Sequence, residues 1–423
     1  MLSTAFENPQ DAYAGPVKSW NRPEVPRLPG HGPAPLLWDT PSRSLLEARP
    51  LAIANLYVCG ITPYDATHLG HAATYLAYDT LIRLWLDAGY DVTYVQNVTD
   101  VDDPLLERAA ATGVDWRELA ASQVALFRGD MQSLAIVPPD HYIGVTDTIQ
   151  PIVAAVQRLL DSGTAYRLGP DVYFDSAAAA AASPWHLGQE SRLDRDTMLA
   201  LSAQRGGDPE TAGKRDAIDP VLWRGEREGE PSWPGGELGT GRPGWHIECS
   251  VIAQDYLDIP MTVQGGGNDL VFPHHEFTAG HTAALTGHDH AEIYSHAGLV
   301  AYRGEKMSKS LGNLVLVSQL TGAGVDPRAI RLAVLAHHYR DDWEWTDLVL
   351  DEGIGRLHAW AEWAARAGQG EPLLDRLRGA LVRDLNTPAA LALVDAAVAS
   401  GAGPAAGDLT AIHALLGIDV ENH

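Results

Sequence analysis

Leu56-Tyr57-Val58-Cys59-Gly60-Ile61-Thr62-Pro63-Tyr64-Asp65-Ala66-Thr67-His68-Leu69-Gly70-His71 changes its period part-way along. It opens as a short apolar run of strand type, stopped by Gly60 and Pro63. From Leu69 onward the apolar residues take helical spacing through Ala73, Leu76 and Leu84. A strand therefore feeds a loop, and the loop feeds a long helix that ends near Gly89. Asp91-Val92-Thr93-Tyr94-Val95-Gln96-Asn97-Val98 reads as a second strand, parallel to the first. Strand, helix and strand in that order make a Rossmann-type unit, which places a ligand at the strand C-termini. The start of the helix offers unpaired N–H groups and a positive dipole end, both suited to a phosphate. Two histidines, His68 and His71, sit there with Gly70 between them. Taken alone, that pattern is an ordinary helix start with two solvated histidines.

Lys306-Met307-Ser308-Lys309-Ser310 changes the weighing. The chain has four lysines (Lys18, Lys214, Lys306 and Lys309), and two of them stand in this five-residue loop. Positive charge elsewhere is supplied almost entirely by Arg, so lysine has been placed where a mobile point charge is useful. Preorganised cations and N–H groups are what a phosphate needs as negative charge builds on its oxygens.

Together the two motifs resemble the HIGH and KMSKS motifs of class I aminoacyl-tRNA synthetases. The resemblance implies an α/β fold: a Rossmann-like catalytic core with a connecting insertion and a C-terminal helical domain. The expected divisions are a Pro-rich arm at 1–50, a catalytic domain at 51–300 with its insertion at about 136–215, and a KMSKS loop with a helical domain at 301–423. It implies that His68, His71, Lys306 and Lys309 act on the phosphates of ATP carried with Mg2+.

Composition bounds the rest. The 423 residues suffice for two or three domains, and 45% hydrophobic with 20% charged residues is ordinary for a globular chain. No run of about 18 apolar residues is present, so no membrane span is expected. No basic-then-apolar leader opens the chain, which points to the cytoplasm. The formal net charge of −25 is a poor surface for a polyanion such as tRNA. After Ser310 the remaining 113 residues hold no lysine and carry 8 Arg against 15 Asp and Glu.

The first 50 residues hold 9 of the 27 prolines and read as an extended arm lying on the core. Helices are expected at 104–112, 115–134, 147–162, Arg328–Tyr339 and Leu348–Ala367, with a short strand at Asp171–Asp175. Thr99-Asp100-Val101-Asp102-Asp103 reads as a capping turn. Gln204-Arg205-Gly206-Gly207-Asp208-Pro209 has neither helical nor strand period. It is a generic loop or a substrate-contacting one.

The two cysteines, Cys59 and Cys249, are either inert buried thiols or part of a metal site, and their places in motif-dense stretches favour the metal. Here the resemblance narrows. Tyr57-Val58-Cys59-Gly60, Gly244-Trp245-His246-Ile247-Glu248-Cys249-Ser250 and Phe272-Pro273-His274-His275-Glu276 are similar to cysteinyl-tRNA synthetases. Those enzymes hold one zinc ion with two Cys, one His and one Glu. The matching positions are Cys59, Cys249 and His274. The Glu position holds Thr278, and Glu276, two residues away, is not its equivalent. Two thiolates and an imidazole fill three corners of a zinc tetrahedron and leave the fourth for a substrate thiolate.

The resemblance further implies that Thr62, Trp245 and Asp269 meet cysteine. Gly60, Ile61, Thr74, Asn97, Val98, Thr99, Gly267, Asn268 and Val300 would line the adenylate site. The form of the first motif, the Thr99–Pro104 stretch and the Gly-Gly-Asp-Pro loop resemble the cysteine ligases of mycothiol biosynthesis most closely. Gln204 stands where that loop usually has Glu. This family implies L-cysteine, ATP and glucosaminyl-inositol as substrates, no nucleic acid and a monomer. Asp65, His71 and Asp269 are candidates to take the proton of the acceptor amine. A genuine cysteinyl-tRNA synthetase is the alternative, disfavoured by the short acidic tail. A synthetase-like regulatory module is a third reading, disfavoured by the intact His68, His71, Lys306 and Lys309.

Overall fold

The computed structural model describes residues 17–64, 68–307 and 313–421. Its centre is a five-stranded, all-parallel sheet in the spatial order Ala291–Ala297, Met261–Gly267, Ile53–Val58, Asp91–Val98, His141–Gly144. Parallel neighbours need crossovers, and helices supply them: Leu69–Asp87 links the strands at 53 and 91, and Glu276–Thr286 links those at 261 and 291. From the middle strand the chain steps first to one side, to Asp91–Val98. Much later it returns on the other side as Met261–Gly267. Strand order therefore reverses at the C-terminal end of Ile53–Val58, which is where such sheets open a ligand crevice.

The helix Leu69–Asp87 is buried almost all round from Tyr75 to Trp85, so it lacks a polar stripe. It lies between the sheet and the C-terminal helices Pro327–Leu335 and Asp408–Leu416. One polar node ties these layers together. Asp79 accepts from Arg83 Nε at 2.8 Å and from the Val137 N–H at 2.8 Å, and it pairs with Arg331. The two guanidiniums also donate to the carbonyls of Ala135, Ala414 and Leu416 at 2.8, 3.1 and 2.7 Å. Burial pushes the Asp79 carboxyl up, but the charges of Arg331 and Arg83 outweigh it and hold the carboxyl below its usual range.

The second sheet is antiparallel and four-stranded, running Ala165–Leu168, Asp171–Phe174, Val221–Gly225 and Gly241–Pro243. The N-terminal segment holds more structure than its prolines suggest. Residues 17–35 are extended, with Trp20 buried against Phe127 and Tyr142 and its Nε1 donating to the Ile136 carbonyl at 2.8 Å. Leu36–Asp39 and Ser44–Glu47 then form a hairpin. Residues 1–16, the start of the arm, lie outside the described residues. Among the described residues, no helix is long and apolar enough to cross a membrane.

Asp79→Asn should cost about 3 kcal/mol, the scale of breaking a buried ion pair on one side. Because the folded carboxyl is held below its usual range, this stabilisation is present above the ordinary carboxylate pKa and is lost as pH falls through the folded value. Urea unfolding of both proteins should thus show a gap at neutral pH that closes in acid. Equal stability at neutral pH would contradict the role given to the node.

Candidate active site

Three elements converge at the reversal point. The strand Ile53–Val58 delivers Cys59, the helix Trp245–Tyr256 delivers Cys249, and the turn Val271–His275 delivers His274. One ligand atom from each lies within 4.8 Å of the others, and all three residues are buried. His274 Nε2 is 3.2 Å from Cys249 Sγ, and the other ring nitrogen of His274 is 3.0 Å from Nδ1 of His246. The Trp245 ring stacks on His274, centroids 4.4 Å apart. Cys59 Sγ is 3.2 Å from His275 Nε2, and His275 continues to His296 at 2.8 Å and on to Thr40 at 2.7 Å. Both ligand sides are thus backed by a second row of hydrogen bonds, as a metal site requires.

The electrostatics fit a cation. Burial holds His246 at about 3 and, with neighbouring imidazoles, holds His274 far below its usual range, so both rings are neutral ligands or partners. Burial pushes the Cys249 thiol well up, and the nearby Cys59 adds to the shift. Two thiolates this close are stable only beside a positive charge. Thr278, one turn after His274, donates its hydroxyl to the His274 carbonyl at 2.8 Å. Glu276 is committed elsewhere: its carboxylate accepts from Trp185 Nε1 at 3.1 Å and from the Gly188 and Ser191 N–H groups at 2.9 and 2.8 Å.

Gly60 sits at the tightest point. A Cβ there would lie 1.6 Å from the Asn97 carbonyl oxygen, so only glycine lets the two strand ends approach. Asn97 Oδ1 accepts from the Gly60 N–H at 2.8 Å, its amide donates to Thr99 Oγ1 at 3.1 Å, and the Thr99 N–H donates to the Ile61 carbonyl at 3.0 Å. Val98 is fully buried. The polar groups of Asn97 and Thr99 therefore hold the loop that carries Cys59 and Thr62. The glycines of Met261–Gly267 also have local causes: a Cβ on Gly265 would strike the Tyr78 ring at 2.5 Å, and one on Gly266 the His275 ring at 2.8 Å.

His68 caps the helix Leu69–Asp87, accepting from the Gly70 N–H at 3.1 Å, and its ring lies 4.0 Å from that of His71. Thr74 follows one turn on, donating to the Gly70 carbonyl at 3.2 Å. The segment that follows the lysine motif is paired with the helix start through its backbone. The Leu69 N–H donates to the Val315 carbonyl at 2.9 Å, and His68 forms a bridge with Leu316. Lys306 lies in the short strand Glu305–Lys306, with Met307 buried beside it. Lys309 and Asp65 lie outside the described residues.

A cavity of about 590 Å³ opens beside the cluster, lined by Thr62, Trp245, His246 and Asp269 from the core and by residues 204–208 of the glycine loop. Arg205 latches that loop down, donating to the Asp269 carbonyl at 2.5 Å and to that of Phe272. Gln204 lines the cavity without forming part of the latch. Asn268 shares the short turn with Asp269, Gly267 ends its strand, and Val300 opens the small strand Val300–Tyr302.

The family model described as "tRNA synthetases class I (C) catalytic domain" matches residues 48–354. An L-cysteine:1D-myo-inositol 2-amino-2-deoxy-alpha-D-glucopyranoside ligase of Clavibacter michiganensis is 60% identical over 420 residues, covering 95% of this chain and 98% of that protein. The chain belongs to this cysteine-ligase family. A second member, from Kocuria rhizophila, is 56% identical and covers 92% of this chain and 94% of its own. Among solved structures, Mycobacterium tuberculosis methionyl-tRNA synthetase with methionyl-adenylate superposes with a TM-score of 0.60 at 17% identity, covering 82% of each chain, which establishes the class I synthetase fold.

For this ligase-family chain, sequence reasoning passed over His246, His275, His296 and Arg205. His246 stands three residues before Cys249 on one helix, a spacing that puts both on the same face. Nothing in the sequence says which of His274 and His275 faces which cysteine. Gly60→Ala should displace Cys59, cost about 2 kcal/mol as an overpacked site, and weaken metal binding in a competitive chelator titration. Unchanged metal affinity in a folded Gly60→Ala protein would show that the loop does not set the cluster.

Proposed function

We propose that this chain joins L-cysteine to the amine of glucosaminyl-inositol, consuming ATP and releasing AMP and pyrophosphate. The observation that supports the choice of cysteine is the Cys59–Cys249–His274 cluster, whose neighbours Trp245, His246 and Pro273 line the cavity. The choice of acceptor rests on the near full-length identity to ligases named for that reaction. Cys59, Cys249 and His274 would hold one zinc ion, which supplies a soft fourth position that a cysteine thiolate fills better than a serine hydroxyl. Shape alone discriminates weakly among small amino acids. Trp245, stacked on His274, and Thr62 enclose the side chain, and Asp269 takes the substrate ammonium.

The carboxylate oxygen of cysteine attacks the α-phosphorus of ATP, and the bond to pyrophosphate breaks. His68 and His71 at the helix start, with Lys306 and Lys309, meet the charge that builds on the phosphate oxygens, Mg2+ accompanying the nucleotide. In the second half-reaction the acceptor nitrogen attacks the cysteinyl carbonyl. A C–N bond forms, the anhydride C–O bond breaks, AMP leaves with the electron pair, and the amine loses one proton. Fixing both reactants against one loop supplies the proximity that the step requires.

The test is an acceptor comparison with the purified chain, ATP and cysteine. The expected product is the cysteinyl amide of glucosaminyl-inositol, with no charging of cysteine tRNA. Efficient tRNA charging with glucosaminyl-inositol inert would restore a synthetase reading.

A further inference from the structure

The cavity is larger than a cysteine side chain needs, and its walls differ in kind. One wall carries Thr62, Trp245 and Asp269 beside the metal-ligand cluster. The other is the first turns of the helix Asp103–Thr112 facing the strands Val221–Gly225 and Gly241–Pro243. On the nucleotide side, His68, His71, Thr74, Gly267 and Val300 do not line it. The space therefore extends from the aminoacyl position away from the nucleotide.

The far wall is built from paired charges. Arg242, whose side chain is only 5% exposed, donates to Asp103 and to Glu230, the latter at 3.0 Å. Arg224 Nη1 lies 3.3 Å from the other Asp103 oxygen. Asp103 is thus fixed between two guanidiniums. Glu107 is exposed one turn further along the same helix and lines the cavity. A fixed carboxylate beside a fixed guanidinium offers one acceptor and one donor side by side, the pattern that adjacent hydroxyls of a polyol complement. Across the whole cavity six carboxylates stand against four cations. That balance attracts an ammonium and opposes a phosphodiester chain. At about 590 Å³ the cavity falls within the usual range for a small-molecule site.

We propose that the part of the cavity bounded by Asp103, Glu107, Arg224 and Arg242 is the acceptor subsite, binding the hydroxyls of an amino sugar linked to a cyclitol. This deepens the proposed function and rests on it. The polyol is held at the far wall, and its amine then points back toward Asp269 and the cysteinyl carbonyl.

The experiment separates the two half-reactions in wild type, Asp103→Asn and Glu107→Ala. Both variants should raise the KM for glucosaminyl-inositol about tenfold, the loss of one charge-assisted hydrogen bond. Cysteine-dependent pyrophosphate exchange, in which no acceptor takes part, should keep its KM for cysteine and ATP. Acceptor KM at the wild-type value in both variants would overturn the subsite. So would a rise in KM for all three substrates alike, since that marks a structural role. Failure of the wild-type protein to form the amide, with exchange intact, would instead remove the proposed function on which the subsite rests.

Discussion

Two thiols and an imidazole brought together in a buried space constrain everything around them. Cys59 ends the middle strand, Cys249 lies inside a helix, and His274 follows the neighbouring strand. Their convergence requires the strand order to reverse at this point, Gly60 to lie against the Asn97 backbone, and Tyr78 and His275 to occupy the space left by Gly265 and Gly266. The surrounding histidines are held neutral by burial, which suits imidazoles that ligate or orient rather than carry charge. The sheet supplies a rigid frame, and its reversal point gathers two thiols and an imidazole in one buried space.

The parallel core was legible because its local signals agree. Strand period, Gly60 with Pro63, and the helical spacing from Leu69 all point to one unit, and the structure forms it at Ile53–Val58, Leu69–Asp87 and Asp91–Val98. Cys59, Cys249 and His274 each sit on a short, strongly patterned stretch, and the structure brings their ligand atoms within 4.8 Å of one another. The hairpin at Leu36–Glu47 was hidden by the prolines around it. Its stability comes from contacts distant in sequence: Leu36 exchanges backbone hydrogen bonds with Val382 and Asp384 at 2.8 and 2.9 Å. The buried pairing of Asp79 with Arg331 was equally invisible, because its partners are far apart in the chain. Periodicity reports on neighbours within an element and carries no information about which remote side chain completes a charge pair.

The glycine loop at 204–209 shows the same limit at the site. Its sequence left open whether it is a generic loop or a substrate loop. Arg205 bonds to the carbonyls of Asp269 and Phe272, so the loop reaches back and fixes the turn that carries Asp269 and leads to His274. Asp208 is in turn held by Tyr173 and Lys214 at 2.5 and 2.8 Å. One of the chain's four lysines, Lys214, is thus spent on a structural anchor. The acidic net charge and the acidic cavity act in the same direction, attracting cations and repelling polyanions.

The central claim is that the Cys59–Cys249–His274 cluster binds a metal that in turn selects a thiol substrate. X-ray absorption at the zinc edge of the purified, zinc-loaded protein tests it most directly. The account predicts two sulfur ligands and at least one imidazole nitrogen without substrate, and a third sulfur when cysteine but not serine is added. A coordination sphere that cysteine leaves unchanged, or zinc held without sulfur ligands, would contradict it.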